Sequence, residues 1–264
     1  MTVLAIVLRQ LYLMRGSASR VLPLFVWVAV DMVLWGFISR YLNQVSGAHY
    51  DFVPAFLGAV LLWDFFTRVM QGVTIAFFED VWSRNFLNLF ATPMSVDEYV
   101  LGLVLTSIAT STVGLVVMLV LASTVFGLSF LVYGALLLPF VLVLFLFGIA
   151  LGILGCAIVL RMGPAAEWFI WPIPGLVSPF VGVFYPLSVL PTWMQAMGRL
   201  LPPSYVFEAM RSILAGQPAD GRLLALSVGL GLLYVIIATL VFARVYAYAV
   251  RSGLIARYSA ESVS

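Results

Sequence analysis

The chain has no lysine: all 13 of its positive charges are arginines, spread over 264 residues. That excludes a Walker A phosphate loop, which needs Gly-x4-Gly-Lys-Ser/Thr, and it excludes Schiff-base chemistry. One histidine, His49, and one cysteine, Cys156, leave no zinc cluster, no disulfide within the chain and no Cys–His nucleophile pair. His49, beside Tyr50 and Asp51, reads as an outer-loop residue, and Cys156 as a small apolar packer. Charge of either sign is scarce, at 9% of residues against roughly 25% in a soluble domain. Any ATP spent on this chain's behalf must therefore be hydrolysed by another chain.

What the sequence does have is apolar residues, 64% of the total. They recur in runs of the ~20 residues needed to cross a ~30 Å hydrocarbon core. Barrel strands would be short and alternating, so the expected fold is all-α, a polytopic membrane protein. Six transmembrane helices are expected, at about 21–40, 53–78, 99–126, 130–160, 166–188 and 223–250. Residues 1–20 alternate Val3, Ile6, Val7 and Leu11 with Arg9, Arg15 and Arg20, the pattern of an interfacial helix rather than a cleaved signal. With both termini cytoplasmic, Arg9, Arg15, Arg20, Arg84, Arg161, Arg251 and Arg257 lie inside and Arg40, Arg199, Arg211 and Arg222 outside, a bias of seven to four. The parts are then an N-terminal helix over 1–20, one membrane domain over 21–250 and a cytoplasmic tail over 251–264.

A polar island interrupts the apolar runs at Phe78–Gly102. On a helical wheel Phe78, Trp82, Phe86, Leu89 and Phe90 share one face, and Asp80, Ser83, Arg84 and Asn88 the other. Thr92-Pro93 breaks this helix, and Ser95-Val-Asp-Glu98 is a capping box that starts the next. A joint between two spans needs only a few polar residues, so this is read as a surface shaped for docking. Glu79, Asp80, Trp82, Arg84 and Asn85 are its candidate contact residues, an aromatic anchor among charges.

Three further features bear on mechanism. Asp64 and Arg68 lie one turn apart within span 2, with Asp31 at similar depth in span 1. Charges so placed normally pair or line water. They read as an interhelical ion network, as a polar patch on a translocation path, or as a proton relay. Gly148-x3-Gly152 with Gly155 lets span 4 approach a neighbour closely, within the chain or at a subunit contact. Pro164, Pro172, Pro174, Pro179, Pro186, Pro191, Pro202 and Pro203 crowd span 5 and the stretch after it. The segment 186–211, with Trp193, Met194, Met197 and Leu200, is too interrupted to span and fits a re-entrant helical hairpin. Trp27, Trp35, Trp63, Trp168, Trp171, Phe180 and Tyr185 read mainly as interface-belt or packing aromatics.

Two segments together resemble the permeases of type 2 ATP-binding-cassette (ABC) exporters. One is Glu79-Asp80, Val81–Phe90, Thr92-Pro93 and Gly102, similar to that family's cytoplasmic coupling helix after span 2, although Ser83-Arg84-Asn85 replaces the usual Gly-Thr. The other is Phe184–Arg211, with Pro191 and Trp193, Leu201-Pro202, Glu208 and Arg211, similar to the family's re-entrant region between spans 5 and 6. The resemblance implies a half-transporter in the bacterial-type cytoplasmic (inner) membrane, exporting a hydrophobic, lipid or glycan-type substrate. Its partners would be a second permease copy, as a homodimer rather than a heterodimer, and two copies of an ABC ATPase. ATP and Mg would sit on those subunits, with no cofactor on this chain and no nucleic acid bound. The contact set above would couple to the ATPase, and Pro191, Trp193, Pro202, Glu208 and Arg211 would form an outer gate. The alternatives are a proton-coupled secondary transporter using Asp31, Asp64 and Arg68, and an intramembrane transferase, for which no catalytic constellation is evident.

Overall fold

A computed structural model describes residues 2–16, 18–46, 53–83, 89, 92 and 94–254. Helices α1 (Thr2–Arg15) and α2 (Ala18–Ser46) come first. A π-helical turn, Val53–Leu57, leads into α3 (Gly58–Trp82). Helix α4 (Val96–Phe126) begins where the capping box was expected. Ser95 Oγ accepts from Glu98 N at 3.2 Å, and Glu98 Oε2 accepts from Ser95 N at 3.0 Å, so two terminal donors are satisfied reciprocally. It ends at Gly127, whose left-handed φ of 68° a side chain would disfavour.

A 3-10 segment, Phe130–Leu136, then feeds α5 (Leu137–Met162), which Gly163 and Pro164 terminate. Among the described residues four helical stretches are long and apolar enough to cross a membrane: Ala55–Trp82, Val96–Phe126, Phe130–Met162 and Gly221–Arg251. Helix α2, where the first span was expected, is 29 residues long. Residues from 255 onward, including Arg257, lie outside the described part, as do His49, Tyr50 and Asp51.

The expected fifth span is not one helix. Pro164–Phe169 forms a 3-10 turn, α6 covers only Ile173–Val181, and Gly182 at φ 64° reverses the chain. Prolines at 164, 172 and 174 cap or restart helices because each lacks a backbone donor, and nine residues of helix rise only about 14 Å. Beyond it, a short 3-10 turn (Leu187–Val189) precedes α7 (Thr192–Gly198) and α8 (Pro202–Leu214). Helix α9 (Gly221–Arg251) closes the fold, with Asp220 Oδ1 accepting from Arg222 N at its start.

Helix α5 lies at the centre, packed on α3 and α9, while α4 packs on α3 and both α1 and α2 pack against α4. Among apolar helices contact is gained by close approach rather than by expelling water, so small residues mark the seams. A Cβ on Gly148 would come within 2.9 Å of Val69 Cβ and 3.0 Å of Phe66 O. One on Gly152 would come within 2.8 Å of Val73 Cβ and 3.0 Å of Met70 O. The Gly148-x3-Gly152 stripe therefore seats α5 on α3 within one chain. On the other flank of α3, Ser107 Oγ of α4 donates to Val69 O at 2.8 Å. Stacked rings add to the seams, with Phe66 against Phe147 at 5.6 Å and Trp35 against Phe184 at 5.1 Å.

Candidate functional site

At one end of the bundle the C-termini of α3 and α5, the N-terminus of α4 and the whole of α1 come together. Helix α3 stays regular through Glu79, Asp80 and Trp82, so their directions follow a 3.6-residue turn. That turn separates them. Asp80 points inward and is 0% exposed. Arg9 of α1 pairs with its Oδ1, and Tyr99 of α4, also fully buried, donates to its Oδ2 at 2.8 Å. Asp80 was expected on the polar, outward face. It instead forms the centre of a three-helix tie, because Arg9, 71 residues away, supplies the charge that makes burial tolerable.

The rest of α1 follows the same seam. Gln10 Nε2 donates to Ala76 O at 3.3 Å, and Ile6 lies over Gly102, where an added Cβ would meet Ile6 Cγ2 at 2.8 Å.

Trp82 is the outward member of the expected contact set and stays half exposed, with its ring 5.8 Å from that of Phe78. Its Nε1 donates to Glu167 Oε2 at 2.9 Å. Glu167 lies in the turn after α5, so the ends of α3 and α5 are joined, and Trp168 and Phe169 stand beside it 74% and 65% exposed. Sequence reasoning missed Glu167 and Tyr99: one was a lone acid in a proline-rich stretch, the other an ordinary aromatic at a helix start. Glu79 is partly buried. Arg84 and Asn85 lie outside the described residues, as do Phe86, Asn88, Phe90 and Pro93.

Within the bundle, Arg68 Nε donates to Asp64 Oδ2 at 3.0 Å, the i, i+4 pair expected from spacing. The Arg68 side chain lies across Gly114 of α4, where an added Cβ would be 3.4 Å from its Cδ. Asp31 of α2 lies within electrostatic reach of both partners. The three charges expected to share a depth are thus gathered between α2, α3 and α4.

At the opposite end, Glu208 and Arg211 of α8 clamp the chain reversal after α6. Glu208 Oε1 accepts from Leu187 N at 2.8 Å and from Arg211 Nη2 at 2.9 Å, while Arg211 Nη1 donates to Gly182 O at 2.8 Å. Pro191 precedes α7, Trp193 sets its half-exposed ring 6.2 Å from that of Phe180, and Pro202 is buried as the first residue of α8. All five expected gate residues thus belong to this one end, two of them as the clamp.

Membrane-length helices, a helical tie between α1, α3 and α4, and a clamped, proline-rich far end describe a polytopic helical membrane protein. The family described as ABC-2 type transporter matches residues 3–215. The chain belongs to that family, as a transmembrane ABC transporter permease: a transport subunit, not itself catalytic, whose family implies association with an ABC ATPase. No curated protein matches the chain.

Proposed function

We propose that the chain is the half-transporter of an ATP-driven exporter, working as a homodimer with two ATPase subunits that bind ATP and Mg. It would sit in a bacterial-type inner membrane with both termini cytoplasmic. Helix α2 and the broken segment 164–181 would add two crossings to the four membrane-length helices, making six. Residues 79–98 act as the coupling segment. The chain itself binds no cofactor, and its cargo is hydrophobic, lipid or glycan-type.

The observation that carries this reading is the tie between Asp80, Arg9 and Tyr99. A push delivered at Trp82 reaches α1 and α4 through that tie, and α5 through Glu167, without first bending a loop. Trp82, with Glu79 and the flanking Arg84 and Asn85, is the contact set, and Asp80 transmits from behind it. Asp31, Asp64 and Arg68 hold α2 and α3 together as an ion network. Pro191, Trp193, Pro202, Glu208 and Arg211 form the outer, re-entrant gate.

Trp82→Ala combined with Arg84→Ala tests the assignment in proteoliposomes holding the permease and its ATPase. The expected outcome is a chain that inserts normally while ATP turnover no longer drives export. Normal transport by that double variant would remove the coupling role from this segment.

A further inference from the structure

Between α7, α8 and the start of α9 lies a cavity of about 390 Å³, within the size range of small-molecule sites, about 300–1,000 Å³. Of its lining residues the transport reading above uses only Glu208, as a gate residue. Its wall brings one cation, Arg199, and two carboxylates, Glu208 and Asp220, around one space. Glu208 is already engaged by Arg211 and by Leu187 N. Arg199 and Asp220 have no ion-pair partner among the described residues; Asp220 accepts only from the backbone of Arg222. Arg199 is positioned by its own backbone, whose carbonyl accepts from Tyr205 Oη at 2.7 Å. Gln195, held by its Nε2 on Leu190 O at 2.8 Å, adds an amide oxygen to the same wall.

The cavity therefore carries on its wall one positive and one negative side chain, both exposed and neither in an ion pair among the described residues. The complement is a zwitterion carrying both an anionic phosphate and an ammonium. A guanidinium suits phosphate, and a carboxylate with an amide oxygen suits an ammonium.

The apolar surroundings choose between a soluble zwitterion and a lipid. Leu223 of α9 lines the cavity and begins an exposed apolar stripe that continues through Leu226, Leu233 and Ile237 at helical spacing. A headgroup held by Arg199 and Asp220 would have its acyl chains laid along that stripe. We propose that this cavity is a binding site for the headgroup of a zwitterionic, amine-bearing phospholipid, with Arg199 on the phosphate and Asp220 on the ammonium. The site goes beyond the transport function and does not depend on which cargo is moved.

Native mass spectrometry of the full-length permease in detergent tests this with three probes: dioctanoyl phosphatidylethanolamine, dioctanoyl phosphatidylglycerol, and glycerophosphoethanolamine without chains. The ethanolamine lipid should bind at least tenfold more tightly than the glycerol lipid, and the chain-free headgroup should not bind in the same range. Arg199→Gln should weaken both lipids tenfold or more. Asp220→Asn, which keeps an oxygen for the helix start, should remove only the preference for ethanolamine and leave the melting temperature unchanged. Equal binding of the two lipids, or an unchanged preference in a stably folded Asp220→Asn, would overturn the charge assignment. Equal binding of the chain-free headgroup would overturn the lipid assignment.

Discussion

Replacing Arg9 with methionine should loosen α1 from the bundle, and its cost can be worked from the geometry. Methionine keeps much of the apolar stem but removes the guanidinium that pairs with Asp80. The Asp80 side chain is 0% exposed, so an unpaired carboxylate is left with the Tyr99 hydroxyl at 2.8 Å as its remaining polar contact among the described residues. Breaking a buried pair from one side costs about 3–5 kcal/mol. Because the Arg9 side chain is itself 29% exposed, water can reach the vacated space, which puts the expected loss at the lower end, about 3 kcal/mol.

Asp80→Leu alone should cost at least as much, since it strands Arg9 and also the Tyr99 hydroxyl. The double variant removes both charges and should fall short of the sum of the two by about 1.5 kcal/mol or more. Apparent melting of the detergent-solubilised chain, followed by fluorescence-detected size exclusion, measures all four members of the cycle. Local release of α1 is read by maleimide labelling of Ile6→Cys, a position 5% exposed, with fully buried native Cys156 as internal control. Labelling should accelerate markedly in Arg9→Met. Additivity within about 0.5 kcal/mol, with unchanged labelling, would refute the tie.

The remaining seams give further expectations. Gly152→Val sets a branched side chain where a Cβ alone already approaches Met70 O to 3.0 Å, and should cost about 1–3 kcal/mol in the same melting assay. Trp82→Phe keeps the ring on Phe78 but loses the bond to Glu167; being half exposed, it should cost only about 1 kcal/mol, and Glu167→Gln should be smaller still. Arg211→Gln removes the donor to Gly182 O and should cost about 1.5–3 kcal/mol while raising protease cleavage near residues 182–190.

Which parts were legible in the sequence depended on the distance between partners. The capping box at Ser95 and Glu98 and the Asp64–Arg68 pair were readable because three or four residues separate the interacting positions. The break in the fifth span was announced by its prolines, although the number of crossings was drawn from run length, which cannot tell one helix from two short ones. The Gly148-x3-Gly152 stripe gave a close approach without saying to what, and Val69 and Val73 supply the answer. Asp80 was placed on the wrong face because a wheel assumes that charge faces water, and only Arg9 and Tyr99, on two other helices, reverse that preference. Glu167 lies 85 residues from Trp82, beyond any periodicity.

On the function proposed above, a separate ATPase works this permease through the segment that begins at Glu79. A detergent pull-down of the tagged chain, with associated ATPase activity assayed, tests it most directly. Co-purification of a Walker-motif subunit, weakened when Trp82 and Arg84 are changed, is the predicted result. A chain that purifies alone and moves substrate down a proton gradient, with Asp31, Asp64 and Arg68 essential, would contradict it.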